Sequence, residues 1–439
     1  MFILYSIVLT IGFIILLPRF LADKLRNGKY TNGFGQRLGN IHGFKVDNRP
    51  IIWLHCVSVG ETNAARPIVK RILEEFPNYR LVISTTTKTG QDLAQKIFAE
   101  HADLIFYFPF DWRFSVRRTL RIVKPNIILM METELWFNFL HEAGRRGARI
   151  FIINGRLSEK SFKRYSMIRK MMMRVFHYVT LALMQDAENA RRISGLSIRS
   201  SKVKVTGNIK FDQIAQESEN SLIKEFKRRF AISKDAPLIV AASTHAPEEA
   251  IIIKAFKEVW KKSEGKLPRL LIVPRHPERF SEVAKLVKSS GFDWVMRSEV
   301  ESNRDKSAEV ILLDSVGELR AVFPLAEIVF VGGSLIPHGG QNILEPAIEK
   351  KPIVTGFYTM NFAEIVKEFL AHDALIQLPK LNENDIAAHL AVIFSELLNN
   401  AERRKELGEN AFAIVEKNRG ATEKTLEFLR PYLFVNRKL

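Results

Sequence analysis

Residues 51–61 read IIWLHCVSVGE, and this stretch decides the fold class. Ile51–Val57 is a short, uncharged and largely apolar run, the pattern of a strand buried on both faces. Gly60 permits a tight turn where the strand ends. Glu61 then opens a helix at the strand's carboxyl end. A carboxylate there has two readings: a general base, or an N-terminal charge that complements the helix dipole.

The same alternation continues outward. Strand-like runs lie near Leu81–Thr86, Ile127–Met131, Ile150–Ile153 and Thr180–Met184, with amphipathic segments between them. A second series follows at Leu238–Ala242, Leu270–Val273, Val310–Leu313, Ile328–Val331 and Ile353–Thr355. Short Val- and Ile-rich runs separated by helices predict parallel sheets built of right-handed βαβ units, an α/β doubly wound fold. The alternation pauses over the polar stretch Asp212–Lys234. The chain therefore reads as two Rossmann-like domains, 23–214 and 235–410, facing a cleft. A helical segment at 411–439 could cross back to the first domain. Ligands of such folds collect at the carboxyl ends of the strands.

Met1–Leu17 carries no charge. As a helix it would span about 26 Å, borderline for a bilayer core. No basic segment precedes it and no small-residue cleavage site follows. Positive charge comes after it, at Arg19, Lys24, Arg26 and Lys29, which predicts a membrane-anchor helix over 1–22 with the rest of the chain on the cytoplasmic side. The alternative is an amphipathic helix buried in the first domain.

The formal net charge of +18 favours anionic partners: nucleic acid, anionic lipid or phosphorylated substrates. Zinc-finger spacing, an RNP-like aromatic motif and a basic tail are all missing, which ranks nucleic acid low. Lys163-Arg164 and Arg169-Lys170 read as one basic helix that also carries Met167, Ile168 and Met171–Met173. Such a helix suits either an anionic membrane surface or a core-facing role. The single cysteine, Cys56, excludes an internal disulfide.

Further motifs sit where the predicted strands end. Glu132 and Glu134, in METE (131–134), share one face if the strand continues. Lys210 could reach an anion, or lie exposed on a linker. Arg275, in PRHPER (274–279), can hold a phosphate or carboxylate through paired donors, and His276 beside it could donate or simply pack. GGS (332–334) and GGQNILEP (339–346) follow a strand and open a helix. They predict a phosphate cradle of backbone N–H groups, with Glu345 available to a ribose. No P-loop spacing is present.

SVGE (58–61), METELW (131–136), INGRLS (153–158), VTGNIKFD (205–212), STH (243–245), VPRHPERF (273–280), FVGGS (330–334) and GGQNILEP (339–346) occur in this order over nearly the whole chain. Together they resemble the 3-deoxy-D-manno-octulosonic acid (Kdo) transferases of lipopolysaccharide assembly. The resemblance implies a GT-B fold. It also implies transfer of Kdo from CMP-Kdo to a lipid A precursor, lipid IVA, with inversion, no required metal and no cofactor, at the cytoplasmic side of the inner membrane. By position, Glu61 resembles the proton acceptor, and Glu132 and Lys210 the transition-state stabilisers. Pro274, Arg275, Val316, Gly317, Glu318, Asn342, Ile343, Leu344 and Glu345 resemble the CMP site. This chain departs from the family at Gln36, where an acid is common, and at Gln341, where histidine is common. Other readings are a GT-B transferase with a different nucleotide sugar, such as a UDP-sugar, and a lipid acceptor, or a membrane-surface scaffold without activity.

Overall fold

In the computed structural model, which describes residues 5–15, 33–45, 47–214, 220–233, 236–262 and 267–434, the opening run becomes strand β1, Ile51–Cys56, with all six residues buried. Burial on both sides explains its composition. Trp53 lies in a core with Phe106, Phe139 and Met130, while Leu54 and Cys56 face a second core with Ile68, Ile83 and Met131.

The chain divides into two units, Met1–Gln213 with Asn418–Leu439, and Ile214–Lys417. The first holds β1, β2 (Arg80–Thr85), β3 (Leu104–Tyr107), β4 (Ile127–Met131), β5 (Arg149–Gly155), β6 (Val179–Met184) and β7 (Val203–Val205). These form one seven-stranded sheet in the order β3-β2-β1-β4-β5-β6-β7, all neighbours parallel. Strand order reverses between β1 and β4.

The chain's last described helix, Ala421–Leu433, belongs to this first unit. Leu426, Leu429 and Leu433 enter the Leu54 core. Arg430 pairs with both Glu75 carboxylate oxygens at 2.6 and 3.0 Å, and Tyr79 donates its hydroxyl to the Leu433 carbonyl at 2.8 Å. Asp212 accepts the Gly420 and Thr422 N–H groups and so caps the helix start.

The second unit holds β8 (Leu238–Thr244), β9 (Arg269–Pro274), β10 (Trp294–Met296), β11 (Val310–Leu312), β12 (Ile328–Val331), β13 (Ile353–Thr355) and β14 (Ile376–Gln377). Its parallel sheet runs β10-β11-β9-β8-β12-β13-β14, with the reversal between β8 and β12. Helices Glu248–Lys262 and Glu383–Asn399 cover one face through Phe256, Val259, Leu390 and Phe394.

Three expectations change. Residues 5–15 are helical, and 1–4 and 16–22 lie outside the described residues; among the described residues no helix is long and apolar enough to cross a membrane. The predicted basic helix is two helices, Glu159–Met167 and Arg169–Phe176, broken at Ile168. Met172 is buried while Met167, Ile168 and Met173 are exposed, so the apolar residues divide between core and surface. Gly60 makes no left-handed turn: it lies inside helix Val59–Ala64. Among the described residues, a side chain there would meet only Ser58 Oγ, at 3.8 Å, so its surface is open.

Candidate active site

In the first unit the strand order reverses between β1 and β4, the point in an open α/β sheet beside whose carboxyl ends ligands collect. Glu61 stands there in the first turn after β1, with Glu132 and Glu134 directly after β4. Ser58 caps the helix by accepting the Glu61 N–H at 3.4 Å. The Glu61 carboxylate reaches back, accepting the Val57 N–H at 2.7 Å and the Ser58 hydroxyl at 3.1 Å. These contacts fix its position, in the manner of a capping box.

The two readings of Glu61 separate at its electrostatics. A dipole-complementing glutamate at an exposed helix start ionises readily. Glu61 is only 7% exposed, and burial, then the nearby Glu132 charge, pushes its pKa from 4.5 to about 8. The same causes lift Glu134 to about 7. Burial, then Glu61 and Glu132, also raises the Cys56 thiol and keeps it protonated. A carboxyl group poised near neutrality at a sheet's reversal point suits a general base.

Lys210 supplies the counter-charge, with Nζ 3.8 Å from Glu132 Oε1. The backbone brings the two together. Glu132 adopts a left-handed φ of 53° and donates its N–H to the Ile153 carbonyl. Asn154, also left-handed, accepts the Ile209 N–H at 3.0 Å, and Asn208 accepts the Lys210 N–H at 3.1 Å. Left-handed backbone at a residue with a side chain costs about 1–2 kcal/mol, and such strain concentrates at functional positions. Asn154 and its companion bonds lay within INGRLS and VTGNIKFD, but the residue types gave no signal of this stitching.

Gln36 has its own partner. Its side-chain oxygen accepts the Tyr107 N–H at 3.0 Å, a bond that either an acid or an amide can make.

In the second unit, the residues assigned to the nucleotide follow three strands, β11, β9 and β12, of which β9 and β12 flank β8. Pro274 ends β9, and exposed Arg275 is held by its N–H to the Thr244 carbonyl at 2.9 Å. Val316 is exposed and Gly317 has a φ of 97°. Glu318 is bound by both Arg297 donors, at 2.9 and 3.1 Å, and by the Ser315 hydroxyl. Asn342 accepts the Leu344 N–H at 3.1 Å, Ile343 and Leu344 are buried, and Glu345 accepts from Arg320 at 3.3 Å.

The phosphate cradle needs correction. The N–H groups of Gly333, Ser334 and Leu335 are already committed to the buried Glu248 carboxylate, at 2.7–2.9 Å. Those of Gly332, Gly340 and Gln341 bond to backbone carbonyls. These six N–H groups are therefore closed to an anion, which has to meet other groups. One is His245, 8% exposed, stacked on His338 at 4.6 Å and edge-on to His276 at 5.2 Å. Burial and then the His338 and His276 charges lower the His245 pKa to about 4, so it is a neutral ring. Glu248 went unread: the residue three before it is His245, not the serine, threonine, aspartate or asparagine that marks a capping box.

Comparison with known proteins agrees with this architecture. A family model described as 3-deoxy-D-manno-octulosonic-acid transferase (kdotransferase) matches residues 32–213. The 3-deoxy-D-manno-octulosonic acid transferase of Haemophilus influenzae is 34% identical over 410 residues, 93% of each chain. That of Chlamydia trachomatis serovar A is 29% identical over 429 residues, 97% of this chain and 96% of the relative. In fold, the chain is similar to UDP-GlcNAc 2-epimerase from Neisseria meningitidis, with a TM-score of 0.56 at 14% identity, over 87% of this chain and all of that one. Two Rossmann-like units with parallel seven-stranded sheets are GT-B-type architecture. With a relative one-third identical along nearly the entire length of both chains, this protein belongs to the 3-deoxy-D-manno-octulosonic acid transferases, a family of glycosyltransferases.

Proposed function

We propose that the protein transfers Kdo from CMP-Kdo to a lipid A precursor such as lipid IVA during lipopolysaccharide assembly. The observation that carries the reading is full-length family membership, joined to a buried glutamate, a second carboxylate and a lysine at one sheet's reversal point.

Glu61 takes the proton from the attacking sugar hydroxyl, for which its raised pKa is suited. The leaving CMP departs from a centre with oxocarbenium character, beside the sugar's own carboxylate. Lys210, held at Glu132, offers positive charge to that carboxylate or to the phosphate. The loops after β8, β9, β11 and β12 receive the nucleotide, with Arg275 exposed toward an anion. One base is sufficient for single-displacement inversion.

The acceptor reading extends to the membrane. The helix over residues 5–15 is tied to the first unit by Asn138 Nδ2 to Ser6 at 2.9 Å and Trp112 Nε1 to Thr10 at 3.1 Å. Its Ile7, Val8, Ile11, Ile14 and Ile15 are exposed. A groove of about 930 Å³ beside it is lined by Arg113, Phe114, Arg117, Arg118 and Arg121. Exposed isoleucines next to arginines favour an anionic bilayer surface. In keeping with these features, we propose that the protein works at the cytoplasmic face of the inner membrane, with this helix at the bilayer.

Purified protein given CMP-Kdo and lipid IVA should release CMP and form a lipid product heavier by a Kdo unit in mass spectrometry. Glu61→Ala should abolish both while the protein stays folded. A folded Glu61→Ala that kept most of the activity would refute the base assignment. Stabilisation by UDP but not CMP in thermal unfolding would point to a different donor.

A further inference from the structure

Glu248 is fully buried in the first turn of helix Glu248–Lys262, and it accepts four backbone N–H groups. Oε2 takes those of His245 and Gly333, at 2.9 and 2.7 Å. Oε1 takes those of Ser334 and Leu335, at 2.9 and 2.8 Å. One bond comes from the loop after β8 and three from the loop after β12, the two strands between which the second sheet reverses. A serine or asparagine would satisfy only one or two donors. Only a carboxylate carries four acceptor sites, and burying one is costly until its bonds offset the lost hydration.

The surroundings are built around this group. A side chain on Gly332 would meet the Ser243 carbonyl and Thr244 Cα at 2.7 Å and Glu248 Oε2 at 3.0 Å. The β12 loop closes above through Gly340 N–H to Gly333 O, at 2.7 Å, and Gln341 N–H to Gly332 O, at 3.1 Å. That closure carries the Gln341 amide to within 3.1 Å of His245 Nε2. Asn342–Glu345 follow directly.

We infer that Glu248 is the positioning residue of the donor site, locking the loops after β8 and β12 in one register so that His245, Gln341 and residues 342–345 present a single surface to the nucleotide sugar. The inference rests on the transferase reading above. Glu248 touches no donor atom itself: it acts through the backbone it holds.

The test uses the full chain with Glu248→Gln, which keeps the side-chain size but turns an amide N–H₂ toward two of the four donors. The donor KM should rise about tenfold or more, while the acceptor KM stays within about twofold and unfolding remains cooperative. The stabilisation by CMP should shrink in parallel. Glu248→Asp should recover part of the donor affinity. If Glu248→Gln fails to fold, Gly332→Ala disturbs the same junction with the carboxylate retained, and the same donor-selective rise is expected. An unchanged donor KM, or donor and acceptor KM rising together, overturns the inference while the transferase reading stands. A wild type that releases no CMP from CMP-Kdo overturns both.

Discussion

Glu61 places a testable pH dependence in the molecule. Its carboxyl is held at about 8 against an ordinary 4.5, so across that window the unfolded chain has lost a proton that the folded chain keeps. The stabilisation from this group is therefore full below about pH 4.5 and declines as the pH rises through about 8. Catalysis runs the opposite way, because a base acts only when ionised. Initial rates should climb between about pH 6 and 8 while the unfolding temperature falls. Glu61→Gln should remove the rate and flatten that part of the stability profile. An equally steep profile in the variant would move the titration to Glu134, whose carboxyl is also raised, to about 7, and which is coupled to Glu61. The sequence reading found Glu61, Glu132 and Lys210 because they follow apolar runs or sit in family motifs. It misread Gly60 as a turn, since glycine identity alone does not separate a left-handed bend from a helix position with an open surface.

Among the elements, legibility followed position in the sheet. The ten strands read from the sequence all have a partner on each side. The four that escaped, β3, β7, β10 and β14, are the edges of the two sheets. An edge strand pairs on one side and is less completely covered, although β3 (LIFY) and β10 (WVM) are as apolar as the strands that were read. Val203–Val205 is wholly non-buried, and Ile376–Gln377 is two residues long. The cradle was misjudged for a different reason: glycine pairs after a strand advertise close backbone approach, and here the approaching group is the protein's own Glu248. The capping of helix Ala421–Leu433 by Asp212 gives a prediction at this scale. Asp212→Ala should cost about 1 kcal/mol, about 2–4 °C in the unfolding temperature of a unit this size. Asp212→Asn, which keeps one acceptor, should lose less. No shift in Asp212→Ala would mean that the leucine packing, the Arg430–Glu75 pair and the Tyr79 bond seat the helix without the cap.

For the whole molecule, the charge of +18 predicts salt-sensitive attachment to anionic vesicles. Sedimentation with phosphatidylglycerol vesicles should weaken as salt rises from about 0.05 to 0.5 M, since exposed charges are screened over a few ångströms at high salt. Arg118→Glu with Arg121→Glu should weaken it further while leaving the unfolding temperature in place. Equal binding by wild type and variant would assign the charge elsewhere. The return of helix Ala421–Leu433 to the first sheet has a consequence in time. Residues 214–417 must be synthesised between the sheet and the helix that covers it. At about 5–20 residues per second, translation leaves that apolar face without its cover for about 10–40 s. The nascent chain spends that interval with only part of that face covered, by helix Arg66–Glu75 among others, and is then most exposed to chaperones and proteases.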